Sequence, residues 1–296
     1  MKREKYLNTI VKSFIDSLDE HGTDWQKGWL TTRKGSSFLP VNGTTGREYT
    51  GANVFYLMAV GAANGFESNR WATYKQWQEA GKQVSKGQHS TADVCRFVQG
   101  VYEDKQGEEK FYNSMKFFPV FNEEQLEGYE RDEQPVKDNE VIQSSSADSF
   151  IDNLGADLRY GGDRAFYVPS KDYINIPDQW KFKDTRDATA TQNYYSTLLH
   201  EHIHWTGHSS RLDRDMKGSS FSSSYAYEEL VAELGSVLLS LQLGLTQQPT
   251  PDHAKYINGW KKGLKDSPKL LLKAMSEAQK ATDWMWQSMN GEMAAE

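Results

Sequence analysis

Four of the seven histidines in this chain, His200, His202, His204 and His208, fall within nine residues of one another. Inside that cluster His200-Glu201-His202-Ile203-His204 fits the H-E-x-x-H pattern. On a helix turning about 100° per residue, His200 and His204 stand about 40° apart, one turn up the same face, where two imidazoles can hold one ion. Glu201, about 100° round from His200, sits beside the open position of a catalytic zinc rather than on the metal, and is the candidate general base. The chemistry to expect is attack by a zinc-activated water on a carbonyl, with Glu201 carrying the proton to the leaving amine. That is peptide hydrolysis.

Two imidazoles are one ligand short of a catalytic zinc site. His202 points nearly opposite the metal face and reads as a surface or packed histidine. His208 could swing back, but Gly207 should end the helix, and the metzincin spacing would need histidine at a position held by Ser210. The next helix offers Glu228, Glu229 and Glu233. A gluzincin-type site takes its third ligand as a carboxylate from such a helix. Glu229 is favoured because it flanks the apolar stripe that starts at Leu230, whereas Glu228 and Glu233 read as exposed helix acids. His208 stays the alternative ligand. Zinc suits the set best, and manganese or another divalent ion is admissible. A purely structural metal is a further reading, against which Glu201 argues, since a structural site needs no base beside an open position.

The elements that must carry these residues show in the hydrophobic pattern. Apolar residues at helical spacing predict helices over Tyr194 to Trp205, Tyr225 to Leu243, Ala254 to Leu264 and Lys269 to Gln287, the last opened by Ser267 and Pro268. Ahead of them, Ala165 to Val168 and Tyr173 to Ile176 predict a hairpin closed by Pro177. At the N-terminus Tyr6, Leu7, Ile10, Val11, Phe14, Ile15 and Leu18 line one face of an opening helix. From Trp25 to about Val120, glycine-rich turns, an apolar run Val54 to Val60 and alternating stretches around Val94 to Val101 and Phe111 to Phe121 predict a small α+β domain of short strands. Glu123 to Ser149 is acidic, holds Pro135 and a serine run, and reads as a linker. The expected fold class is therefore α+β in two domains, residues 1–125 and 150–296, joined by an acidic linker over 126–149.

Composition narrows the function. At 296 residues with 25% charged and 37% hydrophobic residues, the chain is an ordinary folded protein. No stretch reaches the ~20 apolar residues of a membrane span, and no signal-peptide core follows Lys2, Arg3, Glu4 and Lys5. Cys95 stands alone, which excludes an internal disulfide and a cysteine zinc cluster and fits a cytoplasmic location. The net charge of −7 conceals a gradient: residues 21–100 hold nine Lys/Arg against five Asp/Glu, and residues 101–150 hold five against thirteen. The early surplus of cations is interleaved with aromatic rings, a pairing that single-stranded nucleic acid binders use for phosphates and bases. The candidate contacts are Trp25, Lys27, Trp29, Arg33, Arg47, Tyr49, Asn53, Trp71, Lys82 and Lys86.

Taken together, the motifs resemble a family. Trp25-Gln-Lys-Gly-Trp29, the run from Asn42 to Asn53, Trp71-Ala-Thr-Tyr74 and Gly81 to Gly87 resemble the N-terminal domain of ArdC-type antirestriction proteins of conjugative plasmids. His200 to His208, Arg211-Leu212 and Glu228 to Glu233 are similar to that family's zincin-type C-terminal domain. Gly28 stands where proline is expected and Ala52 where a larger apolar residue is usual. The resemblance implies single-stranded DNA binding by the first domain and protection of incoming plasmid DNA from host restriction in the recipient cytoplasm. It also implies a metallopeptidase-like second domain with ligands at His200, His204 and Glu229 and a base at Glu201, with a host protein as the substrate to expect. The competing reading is a metallopeptidase whose first domain recognises a protein substrate.

Overall fold

The computed structural model describes residues 2–21, 39–103, 106, 108–130, 140–184, 189–216, 223–245, 260–261, 263–265 and 267–289. These fall into two compact units. Residues 2–13 and 39–130 make the first, and residues 14–21 and those from 140 onward make the second.

The first unit holds a four-stranded sheet in the order β1-β2-β4-β3, with β1 (Val41–Asn42), β2 (Arg70–Ala72), β3 (Ala92–Glu103) and β4 (Glu109–Asn122). β1 runs parallel to β2, and the other pairings are antiparallel. Helices α2 (Ala52–Ala63) and α3 (Tyr74–Glu79) accompany it, as does the first part of α1 (Lys2–His21), whose residues 14–21 belong to the second unit. On α1, Tyr6, Ile10, Val11, Phe14 and Leu18 of the face that the periodicity predicts are buried, with Leu7 and Ile15 half-buried beside them, and Ser17 is buried as well. Thr73 and Gln76 close a reciprocal capping box that starts α3, so the buried Trp77 enters the small core of Ala72, Val84 and Leu126. The strands depart from expectation: β3 and β4 run for 12 and 14 residues rather than forming short pieces. Their alternation continues through Gln99-Gly100, which pairs in register with Asn113 and Tyr112.

The second unit comprises α4 (Glu140–Leu154), β5 (Asp157–Tyr160), β6 (Phe166–Val168), β7 (Tyr173–Ile176), α5 (Ala190–Thr206), α6 (Ser223–Gln242) and α7 (Lys269–Met289). The predicted hairpin is β6–β7, and β5 adds to it in parallel, giving the order β5-β7-β6. Residues 140–149, assigned to the linker from sequence, are the first turns of α4. Its buried Ala147, Phe150, Ile151 and Leu154 recur at three- and four-residue steps, which outweighs the loop character of the serine run. Residues 254–259 of the expected third helical group lie outside the described residues. No described helix is long and apolar enough to cross a membrane.

Two contacts fix the helices that matter for the site. A capping box between Thr189 and Gln192 starts α5, and Gly207 caps its end. Gly235 of α6 faces Ile203 of α5 so closely that a Cβ there would come within 2.8 Å of Ile203 Cδ1. Glycine at 235 thus sets the distance between α5 and α6, and α7 packs on α6.

Candidate metal centre

Every residue of α5 from Tyr194 to Thr206 is buried. Its two metal-facing imidazoles meet at their Nε2 atoms, 3.1 Å apart between His200 and His204. Glu229, from α6, closes the third corner: its Oε2 lies 3.5 Å from His200 Nε2 and its Oε1 3.6 Å from His204 Nε2. A tetrahedral ion with ligand bonds of about 2.0–2.1 Å places its donor atoms about 3.3 Å from one another, so these separations match a site closed around one ion. Two nitrogens and one carboxylate oxygen, all buried, are also the donor chemistry of a zinc or manganese site.

The structure corrects the sequence reading of Glu228 and Glu233, which are buried rather than exposed. Each faces the outer nitrogen of one imidazole: Glu228 Oε1 lies 3.2 Å from His204 Nδ1, and Glu233 Oε2 lies 3.6 Å from His200 Nδ1. The hydrogen bond to Glu228 fixes the tautomer and ring orientation of His204 that leave its Nε2 free to hold an ion, and Glu233 sets a second carboxylate beside the outer nitrogen of His200. Glu228 is held in turn by Arg214, whose Nη2 donates to Oε1 at 2.7 Å and whose Nε donates to Oε2 at 3.1 Å. Arg214 also donates to Ile203 O and Thr206 Oγ1 at the end of α5. Sequence reasoning missed Glu228, Glu233 and Arg214. The signal available was chemical: two ligating histidines call for two acceptors behind them.

Charge explains what the site seeks. Glu201, Glu228, Glu229 and Glu233 are four buried carboxylates, of which Arg214 compensates one. Buried charge must be paired, and the remaining surplus draws either protons or a cation. Burial disfavours a charged His200, but Glu229 and Glu233 outweigh that and push its pKa up to about 10. His204 is likewise opposed by burial and carried up to about 9 by Glu228 and Glu229. Burial works against the charge on Glu229 as well, and the two imidazoles overcome it, holding its carboxyl below the ordinary range. Either protons held within this cluster or a divalent cation can balance that surplus.

The other sequence-nominated groups are placed as follows. Glu201 is buried beside His200 and contributes to raising its pKa. His202 is fully buried, with Nδ1 2.7 Å from Leu198 O, and its burial lowers its pKa to about 4; it is packed and stands apart from the donors. His208 bonds Ser210 Oγ at 2.7 Å and does not join the donor cluster. Arg211 lies over the Trp205 ring at 4.0 Å and pairs with Asp172 at the β6–β7 turn, fastening that hairpin to the end of α5.

In the first unit, Trp71 is fully buried in the middle of the sheet against Phe66, so it is core and cannot stack a base. Asn53 is occupied structurally: its Nδ2 donates to Cys95 O, and its Oδ1 accepts from Cys95 N and Tyr6 Oη. Tyr49 is half-buried and donates to Trp71 O, with burial raising its pKa to about 12. Lys82 pairs with Glu123 and lies over the Trp77 ring. Arg47 and Lys86 are exposed. Trp25, Lys27, Trp29 and Arg33 lie outside the described residues.

Comparison with known proteins matches both units. Residues 4–135 fit the family described as the N-terminal domain of anti-restriction factor ArdC, and residues 145–277 fit a zincin-like metallopeptidase family. The uncharacterized protein y4eC of Sinorhizobium fredii is 34% identical over 93% of this chain and 90% of its own length. DNA primase TraC of Escherichia coli is 36% identical over 96% of the chain, which spans only 27% of that longer protein. The antirestriction ArdC protein of plasmid R388, in its metal-free crystal structure, superposes with a TM-score of 0.77 at 36% identity, covering 96% of this chain and 98% of that one. A second crystal structure of that protein is Mn(II)-bound and superposes with a TM-score of 0.71. With both units matched in order and a full-length solved relative at this identity, the chain belongs to the ArdC antirestriction family, an ArdC N-terminal domain followed by a zincin-like metallopeptidase domain.

Proposed function

We propose that this protein binds single-stranded DNA through its first unit and protects incoming plasmid DNA from restriction in the recipient cytoplasm, with a divalent-metal peptidase centre in its second unit. The observation that carries the second half is the convergence of His200, His204 and Glu229 with a carboxylate behind each imidazole. His200, His204 and Glu229 are the ligands in this reading, and zinc, manganese or another divalent ion is the occupant. When bound, such an ion polarises a carbonyl and lowers the pKa of a water. Glu201 accepts the proton of the attacking water and returns it to the leaving amine. Glu233 and Glu228, the latter braced by Arg214, keep the imidazoles oriented. The DNA half of the reading is supported by the ArdC match over residues 4–135 and by the early surplus of cations.

Glu201→Gln tests the centre. It should keep the metal, measured by elemental analysis, and lose hydrolysis of a casein substrate by about 10²–10⁴-fold. Unchanged turnover removes Glu201 from its role. Transfer of unmodified plasmid DNA into a restricting recipient then reads out whether protection needs the peptidase centre.

A further inference from the structure

The β3–β4 hairpin has two faces of opposite charge. Side chains alternate along each strand, and the register pairs Arg96 with Lys116 and Tyr102 with Lys110. One face therefore carries Arg96, Lys110, Lys116, Tyr102, Tyr112 and Phe118, with no Asp or Glu at any of its strand positions. The strand acids Asp93, Glu103 and Glu109 all fall on the other face. Arg96 and Lys116 are direct cross-strand neighbours, and like charges so placed weaken a hairpin. Among the described residues no acid lies within ion-pairing distance of either, while Lys110 meets Glu108 at 2.7 Å. An anionic ligand is what turns that repulsion into attraction.

The aromatic rings on the same face are set for stacking. Tyr112 lies across Gly100 of the facing strand, where a Cβ would come within 2.4 Å of its ring, so glycine is what lets the ring fold over the hairpin surface. It remains 49% exposed there, with Tyr102 at 52% and Phe118 at 38%. The rings of Tyr102 and Tyr112 are 6.1 Å apart, and Tyr112, Lys116 and Phe118 follow along one strand face at steps of about 7 Å per two residues. Exposed rings beside Arg96 and Lys116, on a face without acids at its strand positions, match what a single strand needs: π-faces for bases and positive charge for phosphates. Of the rings nominated from sequence, Trp71 is sealed in the core, Tyr49 is half-buried, and Trp25 and Trp29 lie outside the described residues.

We propose that this face of the β3–β4 hairpin is the track that holds single-stranded DNA; the assignment rests on the DNA-binding reading above and locates it. The test uses the full chain, a fluorescein-labelled oligo-dT and anisotropy across a salt series. Arg96→Gln with Lys116→Gln should weaken binding and lower the log–log salt slope by about 1.4, since each phosphate contact on a single strand contributes about 0.7. Tyr112→Ala should weaken binding by about 5- to 150-fold. Phe97→Ala with Phe111→Ala, on the opposite face, should leave both slope and affinity unchanged. If wild type binds and the cation and Tyr112 variants bind equally well, or if the opposite-face pair causes the loss instead, the track lies elsewhere and the DNA-binding reading survives. Failure of wild type to bind oligo-dT at low salt removes both.

Discussion

Replacing Gly235 by Ala should cost this protein its metal before it costs the fold. The added methyl would stand 2.8, 2.9 and 3.0 Å from Cδ1, Cγ1 and Cγ2 of Ile203. Carbon atoms at rest contact lie about 3.5–4.0 Å apart, so the clash amounts to roughly 0.5–1 Å. Ile203 is fully buried between His202 and His204, so the shift expected to relieve the clash is a separation of α5 from α6. The ligand set is split across that interface, two histidines on one helix and Glu229 on the other, whereas metal–ligand distances tolerate only about 0.2 Å. Overpacking costs about 1–3 kcal/mol, and the better helix propensity of Ala returns about 1 kcal/mol, leaving the metal-free fold weakened by about 0–2 kcal/mol. Metal affinity should fall at least about tenfold, the range seen when the support of a ligand is disturbed. Competition against a chromophoric chelator measures the affinity, and thermal unfolding with and without metal separates it from stability. Adding Ile203→Ala removes all three clashing carbons and should recover affinity despite the cavity it opens. Wild-type affinity in Gly235→Ala alone would refute the claim that this contact sets the site.

Other consequences follow from the same geometry. Glu228→Gln keeps a hydrogen-bond acceptor near His204 but removes the charge paired with Arg214, and should weaken metal binding by about 10–100-fold by chelator competition. Metal uptake should strengthen as pH rises toward 9–10, because His200 and His204, held up to about 10 and about 9, release their protons to admit the ion; titration in buffers of different ionisation enthalpy counts those protons. In the metal-free chain both histidines have folded pKa values above the unfolded value of about 6.5, so their stabilisation is complete below that pH. It is lost as pH climbs through the folded values, with a slope of about 1.4 kcal/mol per unit for each proton, visible as a falling unfolding midpoint that metal abolishes. Asn53→Ala should destabilise the first unit by about 2–3 kcal/mol in urea unfolding, through loss of its bonds to Cys95 and Tyr6, and should leave DNA affinity of the folded chain unaltered.

What the amino-acid pattern reveals and what it hides have one physical cause. A hydrophobic period reports a helix face only when the opposite face is wet, as for α1, where five of the seven residues the spacing picks out are buried and the other two half-buried. α5 and α6 are buried nearly all round, so their polar residues are not surface residues, and the default reading of Glu228 and Glu233 as solvated fails for that reason. The same ambiguity runs the other way for Trp71, because a ring among cations has the composition of a stacking platform whether or not the sheet covers it. Chemistry resolves the first case where pattern does not. A buried carboxylate must be paired, and α6 carries Glu228, Glu229 and Glu233 among residues that are otherwise apolar or small from Leu230 to Leu239. Three acids on a buried helix require cationic or proton-bearing partners, and the four histidines within His200 to His208 offer them. Read in that way, the H-E-x-x-H pattern and the acids of α6 each account for the other: the histidines explain how the acids are buried, and the acids explain how the histidines are aimed.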